Sequence, residues 1–508
     1  MTYQASFRFV SVLMTLVVAL AMSACGGGGG GDSPAPAPTP PVIPEQPIPP
    51  ATPTPVGADR IEPLDTGLPK LTAETGAKLT LRSVGVPATT VRLAPLDNAQ
   101  VLVRKATQSL QPKGAPQQIG MSRPVSVTAK PRDLMAQLVW QPTEGGLQRA
   151  AVSFTADGAQ GVRLGVVVRN LPAGAVLRFY AQAGAEVVQV TGEEVLLTIR
   201  RNLEAGDKGD AARTYWSPEF GGAETTLELQ VPLAARLDDL DIAVPTLSHF
   251  FISPDQATNA SFVKVGESGS CNIDVSCKPE LSAESRSVAR MIFVVEGSSY
   301  LCTGTLLNDA GSSQAPHFLS AHHCISTQTV ASSLTTDWFY RSAACNGSTV
   351  SAATQRVLGG AQLLFTDWQT DTSFMRLNSP APQGSVFAGS YFGSLTPEVS
   401  VVGIHHPRGD LQKTSSGAVQ RFSHCSNEIC SPRTQQDGGF YTVSWNSGTT
   451  EGGSSGSGLF YAIGSTRYLV GTLYGGSSSC EVPTGRDHYG RFDLPFRTAI
   501  KTWLMPGS

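Results

Sequence analysis

The chain has 508 residues, which is too long for one ordinary domain, and its 37 basic and 40 acidic residues give a net charge of -3. This near-neutral balance gives no reason to expect nucleic-acid binding or a basic membrane-binding surface. The 52 glycines and the many Val, Thr and Ser residues favour an all-β chain with frequent turns.

Residues 1–24 have the features of a secretory signal peptide. Arg8 precedes an apolar run, Phe9–Met22, that is too short for a comfortable membrane span. The tetrapeptide MSAC, which ends at Cys25, resembles a bacterial lipobox, so Cys25 is expected to carry a lipid; the alternative is ordinary cleavage that leaves an unmodified cysteine. Gly26 follows, instead of the Asp that would indicate inner-membrane retention, which favours a bacterial outer-membrane lipoprotein.

Residues 25–58 are of low complexity. Six glycines follow Cys25, and eleven prolines lie between Pro34 and Pro55. Such a composition cannot bury a core, and the prolines favour an extended chain of roughly 3 Å per residue. We therefore predict a tether that holds the folded part of the chain away from the membrane.

Residues 59–264 are predicted to form a β-rich domain. Residues 59–260 contain no cysteine, and turn signals such as Asn170–Gly174 separate short runs with strand character. Many short strands with such breaks are typical of a β-sandwich. The predicted strands are Val91–Leu93, Gln100–Val103, Ala151–Phe154, Arg163–Val168, Val176–Ala181, Glu186–Val190, Glu194–Ile199, Thr225–Val231 and Asp239–Val244.

A candidate nucleophile lies late in the chain, in the glycine-rich stretch Gly453–Ser457. A serine attacks only when a base takes its proton and hydrogen-bond donors hold the oxyanion that forms. The glycines beside Ser455 allow the backbone N–H groups of Gly453 and Ser455 to point at one spot. A flexible Gly/Ser linker is the alternative, but the apolar, strand-like runs on both sides favour a rigid site.

Partners for Ser455 occur upstream, in the order His, Asp, Ser. The run Phe318–Cys324, FLSAHHC, places two histidines after a strand-like segment, and Asp371 opens the apolar segment Asp371–Leu377, DTSFMRL. A serine hydrolase needs a His that accepts the Ser proton and a buried carboxylate that fixes the His tautomer. An esterase of the α/β-hydrolase fold is disfavoured, because its acid and His follow the Ser.

These motifs together resemble those of the chymotrypsin-like serine proteases, and most closely the bacterial lysyl endopeptidases. The resemblance covers the C-terminal half of the chain and includes motifs that keep one order. They are GESGSCNIDVSC from Gly266, CTGTLL from Cys302, GIHHPRGD from Gly403, TEGGSSGSGLFY from Thr450, YGGSSSC from Tyr474 and RDHYGRF from Arg486.

The resemblance implies a double β-barrel protease domain over residues 265–508, with a short C-terminal helix, that acts on protein or peptide substrates. It implies that His323, next to Cys324, is the general base, that Asp371 orients it, and that Ser455 attacks. The N–H groups of Gly453 and Ser455 would form the oxyanion hole. No metal or cofactor is expected, and a monomer is expected.

The region before the protease also resembles lysyl endopeptidase precursors, through YWSPEFGGAETTLELQVP and then DLDIAVPTLSHFF. This implies that residues 59–264 are a propeptide domain that assists folding or blocks the cleft, with a permanent binding domain as the alternative. Lys264 directly precedes Val265, the expected start of the protease. A Lys-specific enzyme would be able to cut there itself and release the protease domain to the extracellular space.

Eight cysteines in the C-terminal half predict disulfides, although spacing alone does not give their connectivity. The resemblance implies the pairs Cys271–Cys480, Cys277–Cys345 and Cys302–Cys324, which leaves Cys425 and Cys430 to close a small loop. The alternative, a metal site at His322, His323 and Cys324, is disfavoured because three consecutive ligands suit a tetrahedral site poorly.

Selectivity for basic residues is expected from Asp487. Thr449 occupies the position, six residues before Ser455, where trypsin-like enzymes carry their acid, and Asp487 matches the acid that lysyl endopeptidases use instead. A buried carboxylate there would favour Lys or Arg. Tyr474 and Gly475 are expected to form the pocket wall; Tyr474 replaces a histidine of the family, which leaves strict Lys selectivity open.

Three further expectations concern the structure around the site. Ser454 replaces the Asp that captures the new N-terminal amine in many relatives, so activation by amine insertion is not expected. His405 and His406 are expected to be structural. The segment from Asp493 is predicted to be a helix capped by Asp493, with Phe496, Ile500, Trp503 and Leu504 on one face.

The sequence therefore predicts an exported, lipid-anchored serine endopeptidase precursor that cleaves after Lys, with Arg as the other candidate. The rival hypothesis is a surface-anchored binding protein with an inactive protease fold. Nothing in the sequence favours it, because all three triad residue types are present.

Overall fold

The computed structural model describes residues 59–67, 80–81, 87–97, 115–252, 268–427 and 429–507. The predicted signal peptide, the lipidation site Cys25, the tether, the predicted strand Gln100–Val103 and the proposed cut between Lys264 and Val265 lie outside these residues. Among the residues described, no helix has the length and apolar character that a membrane span requires.

The N-terminal region is a sandwich of two β-sheets. In chain order, β1–β14 are Arg60–Ile61, Leu64–Asp65, Thr80–Leu81, Ala88–Leu93, Gln117–Gln118, Gly120–Pro124, Gln141–Thr143, Leu147–Ala156, Gly161–Asn170, Val176–Tyr180, Glu186–Thr191, Thr214–Trp216, Glu224–Pro232 and Asp241–Phe250. One sheet has the order β3-β11-β10-β13-β8-β4, with β7 added to β8, and the other has the order β12-β9-β14-β6. Strands β1, β2 and β5 are not part of the sandwich and pair with strands of the C-terminal half.

Apolar residues from both sheets share one core. Phe154 of β8 and Leu227 of β13 come from the first sheet, and Leu164 and Val166 of β9 come from the second; all four are fully buried. Burial of apolar area of this kind is the main favourable term in folding. The predicted β-sandwich is confirmed.

One predicted strand is wrong, because Glu194–Ile199 lies in the helix Gly192–Glu204. Thr191 and Glu194 form a reciprocal capping box: the Thr191 side chain accepts the Glu194 N–H, and the Glu194 carboxylate accepts the Thr191 N–H. Val195, Ile199 and Asn202 then recur at helical spacing on the buried face. The apolar residues of Glu194–Ile199 indicated burial correctly, but their spacing follows the period of a helix and not that of a strand.

The C-terminal half contains two further β-sheet systems. In chain order, β15–β31 are Ile273–Asp274, Val288–Val295, Ser298–Leu307, His317–Ala321, Thr335–Trp338, Gln355–Val357, Ala361–Asp367, Thr372–Leu377, Val386–Phe387, Gly389–Tyr391, Ser400–His405, Lys413–Ser426, Ile429–Arg433, Phe440–Ser447, Gly458–Ile463, Thr466–Gly476 and Arg486–Arg491. The first has the order β20-β19-β16-β17-β18-β22-β21. In the second, β30-β29-β25-β26-β28-β31 closes into a six-stranded barrel through pairing of β31 with β30.

Each of these systems has its own apolar core, and a third cluster joins them. Leu319 and Phe374 from the first sheet pack in that cluster with Phe460 and Leu469 from the closed barrel. The predicted chymotrypsin-like arrangement of two β-systems is confirmed, and it places the candidate triad at their junction.

The helices are short apart from Gly192–Glu204. The others are Pro131–Met135, Gly209–Ala212, Ser282–Ser285 and Gln328–Ser332, the 3₁₀ turns Ser126–Thr128, Leu237–Asp239, Val275–Cys277, Pro279–Leu281 and Pro407–Gly409, and a C-terminal helix of Asp493–Pro495, a π-helical turn Phe496–Ile500, and Lys501–Leu504.

The C-terminal helix packs as predicted but is not capped as predicted. Phe496, Ile500 and Leu504 are buried in the cluster between the two β-systems. Asp493 makes no capping bond; instead, its carboxylate accepts hydrogen bonds from the Arg491 guanidinium at 2.9 and 2.8 Å. Both side chains are buried, so a charged partner rather than the helix N-terminus satisfies this carboxylate.

Candidate active site

His323 is held by Asp371 at two points. The Asp371 carboxylate accepts the His323 backbone N–H at 2.9 Å and lies 2.7 Å from the Nδ1 atom of its ring. The Asp371 carbonyl accepts the His322 N–H at 3.0 Å. Asp371 is buried and has a φ of 50°, a conformation uncommon for a residue other than glycine. This geometry fixes the orientation of the His323 ring and leaves Nε2 as its acceptor nitrogen.

The Nε2 atom of His323 has no hydrogen-bond partner within the described part of the chain, although it is buried. An uncompensated buried acceptor is unfavourable unless a ligand or reacting group uses it. The neighbouring His322, in contrast, has a hydrogen-bond partner for its ring: its Nδ1 lies 2.7 Å from the Thr366 hydroxyl. Burial also lowers the pKa of His322. Of the two histidines, His323 therefore presents a ring nitrogen that has no partner among the described residues.

Strand β17 connects Ser455 to the His323 loop. The Thr303 N–H donates to the Ser455 carbonyl at 2.8 Å, and the Ser320 hydroxyl donates to the Thr303 carbonyl at 2.8 Å. Gly456 lies so close that a Cβ atom there would come 2.1 Å from the Ser320 Oγ. Ser320 belongs to the strand that leads into His323, so the candidate nucleophile and base lie beside the same strand.

Tyr474, which belongs to the closed barrel, lies beside the candidate nucleophile loop and the His323 ring. The Gly456 N–H donates to the Leu473 carbonyl at 2.8 Å, and the next ring, Tyr474, meets the His323 ring edge-on with centroids 6.0 Å apart. Phe440 packs against the other part of Tyr474 at 5.3 Å. The sequence did not indicate Phe440 as an aromatic partner. It packs against Tyr474, the residue that the sequence analysis placed where related proteases carry a histidine.

The N–H groups of Gly453 and Ser455 belong to peptide units whose carbonyls both accept hydrogen bonds. The Gly452 carbonyl accepts the Arg408 N–H, and the Ser454 carbonyl accepts the N–H three residues later. In a trans peptide the N–H points opposite to the C=O of the same unit. The N–H groups of Gly453 and Ser455 therefore point away from the Arg408 and Ser457 N–H groups that donate to these carbonyls, and the Gly453 N–H has no acceptor among the described residues.

Only glycine fits at position 453. Its φ is 90°, and a Cβ atom would lie 3.0 Å from the His406 carbonyl and 3.1 Å from the Gly409 nitrogen. The first condition strains any L-residue, and the second leaves no space for a side chain.

His405 and Ser454 form a buried network behind the nucleophile. The Ser415 hydroxyl donates to the Thr449 carbonyl, so it must accept from His405 Nε2, 3.0 Å away. His405 Nδ1 is then an acceptor, and Ser454 Oγ donates to it at 2.8 Å. Ser454 also accepts the Glu451 N–H. Ser454 is thus part of a buried hydrogen-bond network.

His406 is buried on the opposite side of the nucleophile loop. Burial lowers its pKa to about 3, so the ring is neutral near pH 7. Its Nδ1 lies 3.0 Å from the Asp410 carbonyl and donates to it. Both histidines of this pair have local hydrogen-bond partners, in keeping with the structural role expected for them.

Asp487 is fully buried and surrounded by neutral donors. One carboxylate oxygen accepts the Trp445 indole N–H at 2.7 Å, the Thr450 hydroxyl at 2.7 Å and the Ser478 hydroxyl at 2.5 Å. The other oxygen accepts the Ser478 N–H at 3.3 Å. Among the residues described, none supplies a cation to this carboxylate. The alternative of a solvated loop aspartate is wrong.

The wall of the Asp487 site is built from strand β30 and the turn after it. A Cβ atom on Gly476 would come 2.4 Å from the carboxylate, so this glycine keeps the approach open. Gly475 is buried beside it and has a φ of 155°. Thr449 brings no charge to the site, and its hydroxyl donates to the Ser478 hydroxyl at 2.8 Å.

Four disulfides brace the C-terminal half. The pairs are Cys271–Cys480, Cys277–Cys345, Cys302–Cys324 and Cys425–Cys430, as expected. Cys324 follows His323 directly, so its bridge fixes the base of the His323 loop. The cysteines that lie near His323 and His488 are all in these bridges, so they offer no thiolate to a metal.

Several residues of the site were not singled out from the sequence. Trp445, Thr450 and Ser478 hold the Asp487 carboxylate, and Thr303 holds the nucleophile loop. Each is an ordinary strand or turn residue, so only the folded register identifies it. The one available signal was position: Thr450 and Ser478 lie within the motifs that carry Ser455 and Cys480.

Comparison with known proteins finds matches over most of the chain. Residues 265–490 match the family described as lysyl endopeptidase, C-terminal domain, and residues 92–251 match the lysyl endopeptidase N-terminal domain. A lysyl endopeptidase of Pseudomonas aeruginosa is 34% identical over an alignment of 406 residues that covers 75% of this chain and 80% of that protein.

Solved structures of proteases show lower similarity. The thermostable serine protease AL20 is 13% identical with a TM-score of 0.29 and covers 41% of this chain and 93% of its own. The protease Anisep from Arthrobacter nicotinovorans is 16% identical with a TM-score of 0.31 and covers 46% of this chain and 98% of its own.

Proposed function

Because the chain belongs to the lysyl endopeptidase family and is a serine endopeptidase, we propose that it cleaves peptide bonds after basic residues, with Lys preferred. The observation that carries the proposal is the buried Asp487 carboxylate with neutral donors only. A carboxylate removed from water without a cation is costly, and a substrate ammonium or guanidinium supplies the missing charge.

We propose that Ser455, His323 and Asp371 perform the reaction. Ser455 Oγ attacks the scissile carbonyl while His323 Nε2 takes its proton, and the same proton then passes to the leaving amine. The acyl-enzyme on Ser455 is released by water, with His323 again as the base. Asp371 stays ionised and stabilises the imidazolium through its Nδ1 contact. The N–H groups of Gly453 and Ser455 stabilise the oxyanion.

The test is hydrolysis of matched peptides that differ only in Lys, Arg or Leu before the scissile bond. We expect cleavage after Lys to exceed cleavage after Leu by at least about 10²-fold in kcat/KM, since the buried charge pair is lost with Leu. Similar rates for Lys and Arg would show that Tyr474 permits both. Equal rates for Lys and Leu would contradict the role of Asp487, and no cleavage would favour an inactive binding protein.

We further propose that the N-terminal sandwich is a propeptide that closes the precursor. Strand β5 pairs with β17 next to Cys302, through Gln118 with Tyr300 and Gln117 with Leu301. Gln117 also reaches the nucleophile loop: its Oε1 lies 2.8 Å from where a Cβ on Gly452 would be. An extended segment there adds a strand at the edge beside the nucleophile, as a bound peptide would.

An apolar cluster secures this contact. Ile119 and Phe250 of the sandwich pack with Ile292 and Leu301 of the catalytic half, and all four are buried. A partly buried ion pair, Arg356 with Glu219 at 2.6 Å, joins the two parts nearby. Ser455 is itself fully buried in the full-length chain, in keeping with a closed precursor.

Ile119→Asp is expected to raise the activity of an uncut precursor by at least about 10-fold, because a carboxylate in this cluster costs several kcal/mol. The measurement is hydrolysis of a Lys peptide by chains that also carry Lys264→Gln, which blocks the proposed self-cleavage. Val127→Asp, at a 51% exposed position of the same domain, is the control. Unchanged activity in a folded Ile119→Asp chain would count against the propeptide role.

We also propose that the protein is exported and anchored through a lipid on Cys25 as an outer-membrane lipoprotein. Support comes from the four disulfides, which suit an oxidising compartment, and from the lipobox-like sequence. Cleavage at Lys264 would separate the protease domain covalently from the tether.

A further inference from the structure

We propose that residues 59–67, DRIEPLDTG, form a noncovalent clip on the catalytic half and keep the preceding tether attached after the chain is cut downstream of Gly67. The clip is the segment Asp59–Gly67, and its binding site is the groove formed by β23, β24 and Arg286. This inference does not rest on the proposed chemistry of the active site, because it concerns a surface outside it.

The clip binds as two short strands. Arg60 and Ile61 pair antiparallel with β24, and Leu64 and Asp65 pair antiparallel with β23. The Phe392 N–H donates to the Asp59 carbonyl at 2.9 Å, so the contact begins at the first residue described. Backbone pairing of this kind is how extended peptides add to the edge of a sheet.

The catalytic half has a glycine where the clip comes closest. A Cβ atom on Gly389 would lie 2.7 Å from the Ile61 carbonyl and 2.8 Å from the Pro63 nitrogen. At the chain reversal between the two short strands, the Asn308 side chain donates to the Glu62 carbonyl at 2.9 Å. The groove is therefore shaped to this backbone.

Apolar side chains of the clip pack in two apolar clusters of the catalytic half. Ile61 is 3% exposed and belongs to the cluster that joins the two β-systems. Leu64 packs against the core of the first system. Without the clip, these positions would expose apolar surface to water, which is unfavourable in proportion to its area.

Charged groups of the clip complete the site. Arg286 is buried, pairs through both terminal nitrogens with the Asp65 carboxylate, and also donates to the Gly67 carbonyl at 2.7 Å. The Tyr468 hydroxyl donates to the Glu62 carboxylate at 2.6 Å. Loss of the clip would leave the Arg286 guanidinium without its carboxylate, which is costly for a buried charge.

The contacts assign the clip to the catalytic half and not to the sandwich that follows it in sequence. Its side-chain and backbone partners outside the segment lie between Arg286 and Tyr468, more than 200 positions away. Among the described residues, none of 115–252 bonds to it. A cut between the clip and the sandwich therefore leaves the clip in its groove, together with everything N-terminal to it.

The test uses the full chain with an affinity tag in the tether, a site for an added sequence-specific protease within residues 70–78, and Ser455→Ala to prevent self-cleavage. After cutting, the clip is the only part of the tagged fragment that lies within the described residues. We expect the body of the chain to stay on the affinity resin. Ile61→Asp and Asp65→Lys should each speed its release at least about 30-fold, whereas Val127→Asp, at an exposed position of the sandwich, should not.

A second measurement keeps the proposal testable if a variant misfolds. A synthetic DRIEPLDTG peptide in excess should displace the cut wild-type tether fragment, and a scrambled peptide should not. Release of the wild-type body as fast as that of the Ile61→Asp chain would overturn the proposal. Failure of the peptide to displace the fragment would do so too, provided that the body retains its melting temperature after cutting.

Discussion

Replacing Ser455 with alanine is expected to lower kcat by about 10⁵–10⁶-fold with little change in KM. Loss of a nucleophile or its base in a serine protease removes the acyl-enzyme route altogether, and the remaining rate comes from the oxyanion hole and substrate binding. His323→Ala should cost about as much, and the double variant little more, because the two residues act as one unit. The measurement is hydrolysis of a Lys peptide by the purified, processed protein.

The control for Ser455→Ala is Ser465→Ala, at an exposed hairpin turn of the same barrel. It should retain full activity. A Ser455→Ala protein that keeps more than about one hundredth of the wild-type kcat would show that another nucleophile does the chemistry, since nucleophile loss costs far more than that. Loss of activity in both proteins would instead point to a folding defect, which circular dichroism would reveal.

Replacing Asp487 with asparagine is expected to lower kcat/KM for Lys peptides by about 10²–10³-fold and to leave Leu peptides within a few fold of their wild-type rate. Leaving a buried charge without its partner costs about 3–5 kcal/mol, and here the unpaired charge would be that of the substrate. Asparagine keeps the shape of the side chain. In the wild-type protein, Trp445, Thr450 and Ser478 all donate to one carboxylate oxygen of Asp487, and the amide oxygen of the asparagine continues to accept from them.

The matched control is Asp437→Asn, an exposed carboxylate in the loop before β28. It removes the same formal charge from the domain, so it separates a local contact from general electrostatic steering. A fall in Lys cleavage that is equal in the two variants would contradict a specific role for Asp487. So would an equal fall for Lys and Leu peptides in Asp487→Asn.

Local motifs allowed much of the site to be predicted. The His323 and Asp371 positions stood at the end and the start of apolar runs, and β18 and β22 do end at Ala321 and begin at Thr372. The glycines around Ser455 indicated a tight loop, and a φ of 90° at Gly453 agrees with that. In each case the information lies within a few residues of sequence.

What the sequence did not show depends on contacts between distant segments. The donors around Asp487 come from two separate parts of the chain, residues 445–450 and Ser478, and the sequence does not give their register. Asp493 looked like a helix cap because local rules favour that, but Arg491 captured its carboxylate. Helix Gly192–Glu204 was taken for a strand because its apolar spacing was judged without the capping box.

The N-terminal clip illustrates the same limit. The sequence analysis places DRIEPLDTG at the start of the predicted β-rich domain, and its few apolar residues, which follow no regular period, do not indicate that it binds the catalytic half. Its structure is imposed by β23 and β24, more than 300 residues later. Tertiary context of this kind overrides local propensity in short β-segments.

The most direct test of a triad built on Ser455 is to treat the processed protein with a fluorophosphonate and to locate the adduct by mass spectrometry. These reagents form a stable bond only with a serine whose proton is withdrawn by a base and whose oxyanion is held by donors. We expect one adduct, on Ser455, that disappears in His323→Ala. An unlabelled protein, or an adduct on another serine, would contradict the proposed mechanism.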